Sequence, residues 1–154
     1  MLTSRVPAAV DGLLAVLRAA PGLADVTVVD GPPAVNLTPR RLLFVGWQPG
    51  GESAVSLAQT FNGAGARTRD ETFQIAGYIE ARTGDKDMQA RRAAVFAILG
   101  EIETALRATT DAPDAPTLGG AVLWAHLTAG DLTQIQSEGS TAGLAFTVTC
   151  QARI

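Results

Sequence analysis

The sequence predicts a single α+β domain: a mostly antiparallel sheet packed in two layers against an N-terminal helix and one long central helix. Three observations lead there. Glu71–Arg82 alternates apolar and polar residues with period two, Lys86–Thr109 switches at once to helical spacing, and the last third reads as a strand meander. Strands gathered in one layer and helices in another are the usual way for both to bury their apolar faces. With 154 residues, the chain suits one core, whereas two half-length domains would bury too little surface.

The first helix is expected over Ser4–Ala20, where Val6, Val10, Leu13, Leu14 and Leu17 form one apolar stripe. Pro7 is tolerated because it falls in the first turn, and Pro21-Gly22 ends the helix. A short strand follows at Val26–Val29, closed by Gly31-Pro32-Pro33. Arg41–Trp47 is the second strand, and its unbroken Leu42-Leu43-Phe44-Val45 run predicts that both faces are covered. From about 48 to 69 the chain turns polar and carries Gly50, Gly51, Gly63 and Gly65. It is expected to form a long flexible loop, with a possible short edge strand at Ser53–Leu57.

In Glu71–Arg82, Phe73, Ile75, Gly77, Ile79 and Ala81 should face the core, with Thr72, Gln74, Tyr78 and Glu80 opposite. The long helix is expected to start with Asp85 as N-cap and Asp87 in its first turn. Met88, Val95, Ile98, Leu99, Ile102 and Leu106 form its buried stripe, and its 24-residue span would measure roughly 36 Å. Glu103 and Arg107 pair four residues apart on its outer side, and Pro113 and Pro116 prevent continuation. The meander is expected as Ala121–Thr128, a turn at Ala129-Gly130-Asp131, Leu132–Gln136, a Gly139-Ser140 hairpin, and Ala142–Ala152. Leu144, Phe146, Val148 and Cys150 share one face of that last strand.

Composition points away from several functions. A net charge of −3 gives no basic footprint for general nucleic-acid binding. No stretch approaches the roughly 18 apolar residues of a membrane span, and Asp11 and Arg18 interrupt any secretory core, so a soluble cytoplasmic chain is expected. Cys150, the only cysteine, reads as a small buried hydrophobe. Charged residues make up 18%, against about 25% in an average soluble domain. Part of the surface is therefore expected to be covered by another subunit. Lys86 is the only lysine among 12 Lys and Arg residues, and arginine holds planar interface contacts well.

Chemistry-bearing groups do not converge. His126, the only histidine, cannot anchor a Ser-His-Asp or Cys-His arrangement and reads as a partly buried or interface side chain. His126 with Cys150 would make only two zinc ligands. Asp85 and Asp87 lack the glycine and glutamate of a calcium loop. Glu71 and Glu80 fall on opposite faces of their strand and cannot form an acid–base pair. The run Phe61–Arg67 has glycines but no Gly-Lys-Ser/Thr and no preceding buried strand for phosphate binding. No enzyme, cofactor or metal is expected. Arg40-Arg41, Arg67 with Arg69, and Arg91-Arg92 are the local basic points. The residues expected to make subunit or tube contacts are Thr72, Gln74 and Tyr78 on the strand and Asn62, Arg67 and Arg69 on the loop.

Three stretches together resemble the tail terminator proteins of long-tailed bacteriophages. They are the helix and short strand of Val6–Asp30, the strand running into the long helix over Glu71–Leu106, and the terminal alternating strand Gly143–Ile154. The likeness lies in layout and length, not in signature residues. It implies a structural virion protein forming a homo-oligomeric ring, typically a hexamer, at the head-proximal end of the tail. Such a ring caps the tail tube, stops its polymerisation, and meets the head-side connector, while DNA passes through the lumen without specific binding. Assembly would take place in the host cytoplasm, with no membrane involved. The alternatives are another neck protein, such as a head-closure or connector subunit, or a small ligand-binding or enzymatic α+β domain.

Overall fold

A computed structural model of the chain describes residues 2–34, 37–51, 53–65 and 67–154. It is an α+β structure with two α-helices and a mixed sheet of six strands. The strands are β1 (Thr27–Asp30), β2 (Arg41–Val45), β3 (Val55–Phe61), β4 (Arg69–Thr83), β5 (Trp124–Gln136) and β6 (Ser140–Arg153), and the helices are α1 (Val6–Ala19) and α2 (Met88–Ala105). The order across the sheet is β1-β2-β4-β6-β5, with β3 also on β4. β1 and β2 run parallel, and every other pairing is antiparallel.

β4 organises the sheet. Its C-terminal part, Gly77–Ala81, pairs with β2, and its N-terminal part, Arg69–Ile75, pairs with β3. Both therefore lie along the same side of β4, separated by an excursion of the chain. Ala76 holds the two ends of that excursion: its carbonyl accepts from Gly46 N–H at 2.7 Å and its N–H donates to Ala54 at 3.0 Å. The expected long loop thus resolves into two shorter connections around a seven-residue strand. Sequence pattern underestimated β3 because its outward side chains, Ser56, Ala58 and Thr60, are small or polar. Glu52 and Ala66, within the expected loop, lie outside the described residues.

The expected core faces hold. Phe73, Ile75, Ile79 and Ala81 of β4 and the even-numbered residues Ala142–Ala152 of β6 are buried. They share one core with Leu13 and Leu17 of α1 and Val95, Ile98 and Ile102 of α2. Leu42–Val45 are buried on both sides of β2, as the continuous apolar run predicts. Two aromatic–glycine contacts lock β4 to β6. The Phe146 ring lies across Gly77 on the core side, and Tyr78 lies over Gly143 on the other, each occupying the space a Cβ would need.

Several boundaries differ from expectation. Asp87, not Asp85, caps α2, accepting from Ala90 N–H at 3.1 Å, while Asp85 accepts from Asp87 N–H. α2 ends at Ala105, where Leu106 N–H folds back to the Ile102 and Thr104 carbonyls, although Leu106 remains buried. The expected turn at Ala129–Asp131 is instead the interior of β5, and the irregularity there is a β-bulge between Leu127 and Ala129. A long partner strand overrides the local Gly-Asp turn signal. At the hairpin, Ser140 already belongs to β6, and the turn is made by Ser137–Gly139.

Candidate interaction surface

The sheet face opposite the buried one carries most of the residues singled out in the sequence. Alternation in β4 sends Thr72 and Gln74 outward, and both are exposed. Register places Ser56 and Thr149 beside Gln74, and Ala58 and Gln151 beside Thr72. β5 extends the surface with Trp124 and His126, opposite Gln151 and Thr149. Trp124 Nε1 donates to Gln151 Oε1 at 3.1 Å, His126 stacks on the Trp124 ring at 4.7 Å, and the Thr128 and Thr149 hydroxyls share a 2.7 Å hydrogen bond. This face is built of threonine, glutamine, serine and alanine. Charges bound it on both sides: Glu80 and Asp131 lie toward one end, and at the other Arg153 Nε donates to Asp70 Oδ1 at 2.7 Å. That hydrogen bond holds the Asp70 carboxyl below its usual range and raises the Arg153 guanidinium.

Tyr78 shares this face but has a different setting. It stacks with Phe44 at 6.2 Å and meets the edge of Trp47 at 5.7 Å, while Phe44 and Trp47 lie 5.1 Å apart. Trp47 is brought over the sheet by the start of the excursion, and Gln48 Nε2 reaches across to the Phe146 carbonyl at 2.7 Å. Burial first, and then the charge of Glu80, pushes the Tyr78 phenol upward. Tyr78 thus belongs to an aromatic cluster that closes the outer side of β2 and β4.

The loop residues separate. Asn62 and Arg67 are exposed in the β3–β4 connection, where Asn62 is tied to Thr68 through its backbone N–H and its side-chain amide. Arg69 points to the other side of the sheet, where it donates to Gln59 Oε1 at 3.0 Å and lies over Phe61. Its role there is in a polar chain that sequence reasoning missed. Gln59 Nε2 donates to Thr3 O at 2.8 Å and to Glu71 Oε2 at 2.6 Å, and Glu71 Oε1 accepts from Arg5 N–H at 2.8 Å. Glu71 is fully buried. α1 has no acidic residue in its first turn and no side-chain cap at Arg5. Glu71 supplies an acceptor and a negative charge to the helix start from a distant strand. The absence of an N-cap at Arg5 was the one sequence signal that a remote partner was needed.

The other candidates are accounted for locally. Arg41 pairs with Asp25 at 2.8 Å, Arg92 donates to Gln134 at 2.8 Å, and Arg107 meets Glu103 at 3.2 Å. Cys150 is buried among apolar side chains, which pushes its thiol up to about 12. It faces the core while His126 is exposed on the other face, so the two do not converge. Among the described residues no group of three or more potential metal ligands comes together. An open cleft of about 520 Å³ lies between the end of α2 and β5, where Glu103, Leu106 and Arg107 approach His126 and Leu127. No helix among the described residues is long and apolar enough to cross a membrane.

Compared with known proteins, the chain matches no protein-family model and no curated protein sequence.

Proposed function

We propose that the chain is a structural virion subunit, a tail terminator whose copies form a ring, most simply a hexamer, on the head-proximal end of a bacteriophage tail tube. The observation that carries this reading is the broad uncharged sheet face of Ser56, Ala58, Thr72, Gln74, Thr149 and Gln151. At the flanking strands apolar side chains also stand open, Ile135 of β5 on this face and Leu57 and Phe61 of β3 and Leu132 of β5 on the other. A surface with hydroxyls and amides but few charges loses little when it is covered by another protein. The same element order that resembles tail terminators is supported by the succession α1, β1, then β4 leading into α2, then a terminal β6. In this reading both helices form one layer on the sheet, with the exposed face left for assembly. Thr72 and Gln74 contact a neighbouring subunit or the tube, and Asn62 and Arg67 reach outward from the β3–β4 connection. Arg69 and Tyr78 support that surface from within.

The test is to add the purified protein to growing tail tubes and measure tube length by electron microscopy. A terminator gives tubes of arrested length with density at one end; unaltered growth with bare ends removes the assignment. Capture by connector protein but not by tube protein would instead favour another neck component. A second reading rests on the cleft between α2 and β5: a ligand-binding domain would use His126 and Arg107 there, and a His126→Ala variant that still caps tubes argues against it.

A further inference from the structure

Strand edges in proteins that stay apart are normally blunted by lysine, proline or inward charges. Two of the three outer strands here, β3 and β5, are not. β3 contains no charged residue and no proline, and β5 beyond its bulge, Ala129–Gln136, contains one charge, Asp131. Among the described residues β3 pairs only with β4, and β5 only with β6.

Hydrogen-bond alternation shows which backbone groups are open. Arg69 exchanges both bonds with Ile154 on the β6 side, whereas Asn62 N–H bonds the Thr68 carbonyl and Ala76 N–H bonds Ala54 on the β3 side. Odd residues of β4 therefore bond β6, and even residues bond β3. It follows that Leu57, Gln59 and Phe61 direct their N–H and C=O groups to the open edge of β3. The same alternation carried across β6 leaves those of Gly130, Leu132 and Gln134 open on β5. Leu57, Phe61 and Leu132 are also 49%, 65% and 39% exposed. Among the described residues each edge thus offers a row of unpaired backbone groups with apolar side chains beside it, and the two edges lie on opposite sides of one sheet.

We infer that β3 of one copy adds to β5 of the next, joining the sheets of neighbouring subunits. This rests on the ring reading and specifies how the ring is made. β3 and β5 run in opposite directions within a subunit, because three antiparallel pairings separate them. A rotation about an axis near the strand direction preserves that relation, so the junction is antiparallel like its neighbours. Leu57 lies level with Phe73 and Leu132 with Ile79, an offset of six residues along β4, or about 20 Å. Successive copies must then step along the strands, which tilts them to the ring axis as closure of a sheet requires. Because the two surfaces differ, the contact is head-to-tail, the kind from which rings are built, instead of a two-fold contact that stops at a dimer.

The test uses Leu57→Lys and Leu132→Lys, each examined by light scattering where the wild type is assembled, with circular dichroism to confirm folding. Each variant alone should remain a monomer, since every copy lacks one competent edge. An equimolar mixture should give a one-to-one dimer of twice 15.9 kDa and no ring, because only one good junction can form. Should Leu132→Lys fail to fold, Gln134→Pro serves, since its N–H is on the open side and no ladder bond is lost. Rings from either variant would overturn the edge pairing while leaving the ring reading intact. Loss of assembly in Leu132→Lys but not in Leu57→Lys would overturn it in favour of a two-fold β5 contact. A wild type that never assembles, even on tube ends, would overturn both readings.

Discussion

Replacing Glu71 with glutamine should destabilise the fold although it changes no side-chain volume. The chain Arg69–Gln59–Glu71–Arg5 is polarised: Arg69 donates to Gln59 Oε1, Gln59 Nε2 donates to Glu71 Oε2, and Arg5 N–H donates to Glu71 Oε1. Every donor points toward the carboxylate. A glutamine can keep an oxygen toward Arg5, but its amide NH2 then meets the NH2 of Gln59. Turning Gln59 over does not help, because its NH2 would then face the Arg69 guanidinium and abandon the Thr3 carbonyl. One charge-assisted hydrogen bond is lost, about 1.5–3 kcal/mol, together with roughly 0.3–1 kcal/mol from the charge at the α1 start. The neutral amide is easier to bury, which offsets part of this. The net expectation is about 2 kcal/mol. Urea unfolding followed by tryptophan fluorescence measures it. With a slope of about 2 kcal/mol/M, the midpoint should fall by about 1 M without a change in slope. Glu71→Ala should fall further, because both donors then lose their acceptor. A Glu71→Gln midpoint equal to the wild type would refute the polarised chain.

Gly77→Ala should cost about 1–3 kcal/mol, because its methyl would enter the Phe146 ring; the same urea titration detects it, and Gly77→Ala combined with Phe146→Leu should recover part of the loss. The Cys150 thiol should resist a disulfide reagent in the native protein and react fully in denaturant. The thiol ionises near 9 when unfolded and only at about 12 when folded. The unfolded chain therefore holds fewer protons between those values, and stability falls as pH rises through that window. Cys150→Ala should flatten that alkaline slope. Thr72→Ala with Gln74→Ala should weaken assembly while leaving the monomer's unfolding free energy in urea within about 0.5 kcal/mol of the wild type. Tyr78→Ala should lower the unfolding free energy by about 2 kcal/mol, because it empties the cluster with Phe44 and Trp47.

How far the sequence could be read depended on whether the signal was local. The period-two pattern of Phe73–Ala81 and the apolar stripe through Val95, Ile98 and Ile102 reflect each element's own burial, and both appear where expected. β3 reads only as a possible edge strand, since Ser56, Ala58 and Thr60 need no apolar partner on an exposed face. The Ala129–Asp131 turn fails for the opposite reason, because β6 pairs along the length of β5 and carries it through a local turn signal. Parallel pairing of β1 with β2 is a tertiary choice with no local mark. Thr72 and Gln74 were legible as outward residues, whereas the inward role of Arg69 required the positions of Gln59 and Glu71. The Tyr78 cluster depends on Trp47, which a glycine-bearing connection brings across the sheet.

The central claim is that this chain works by joining copies of itself. The most direct measurement is its mass by light scattering after size exclusion, over a wide concentration range, with and without tail tubes. The account predicts a species near six times 15.9 kDa, formed in solution or on tube ends. A chain that stays at 15.9 kDa at every concentration, and remains unbound when tubes are offered, would contradict it.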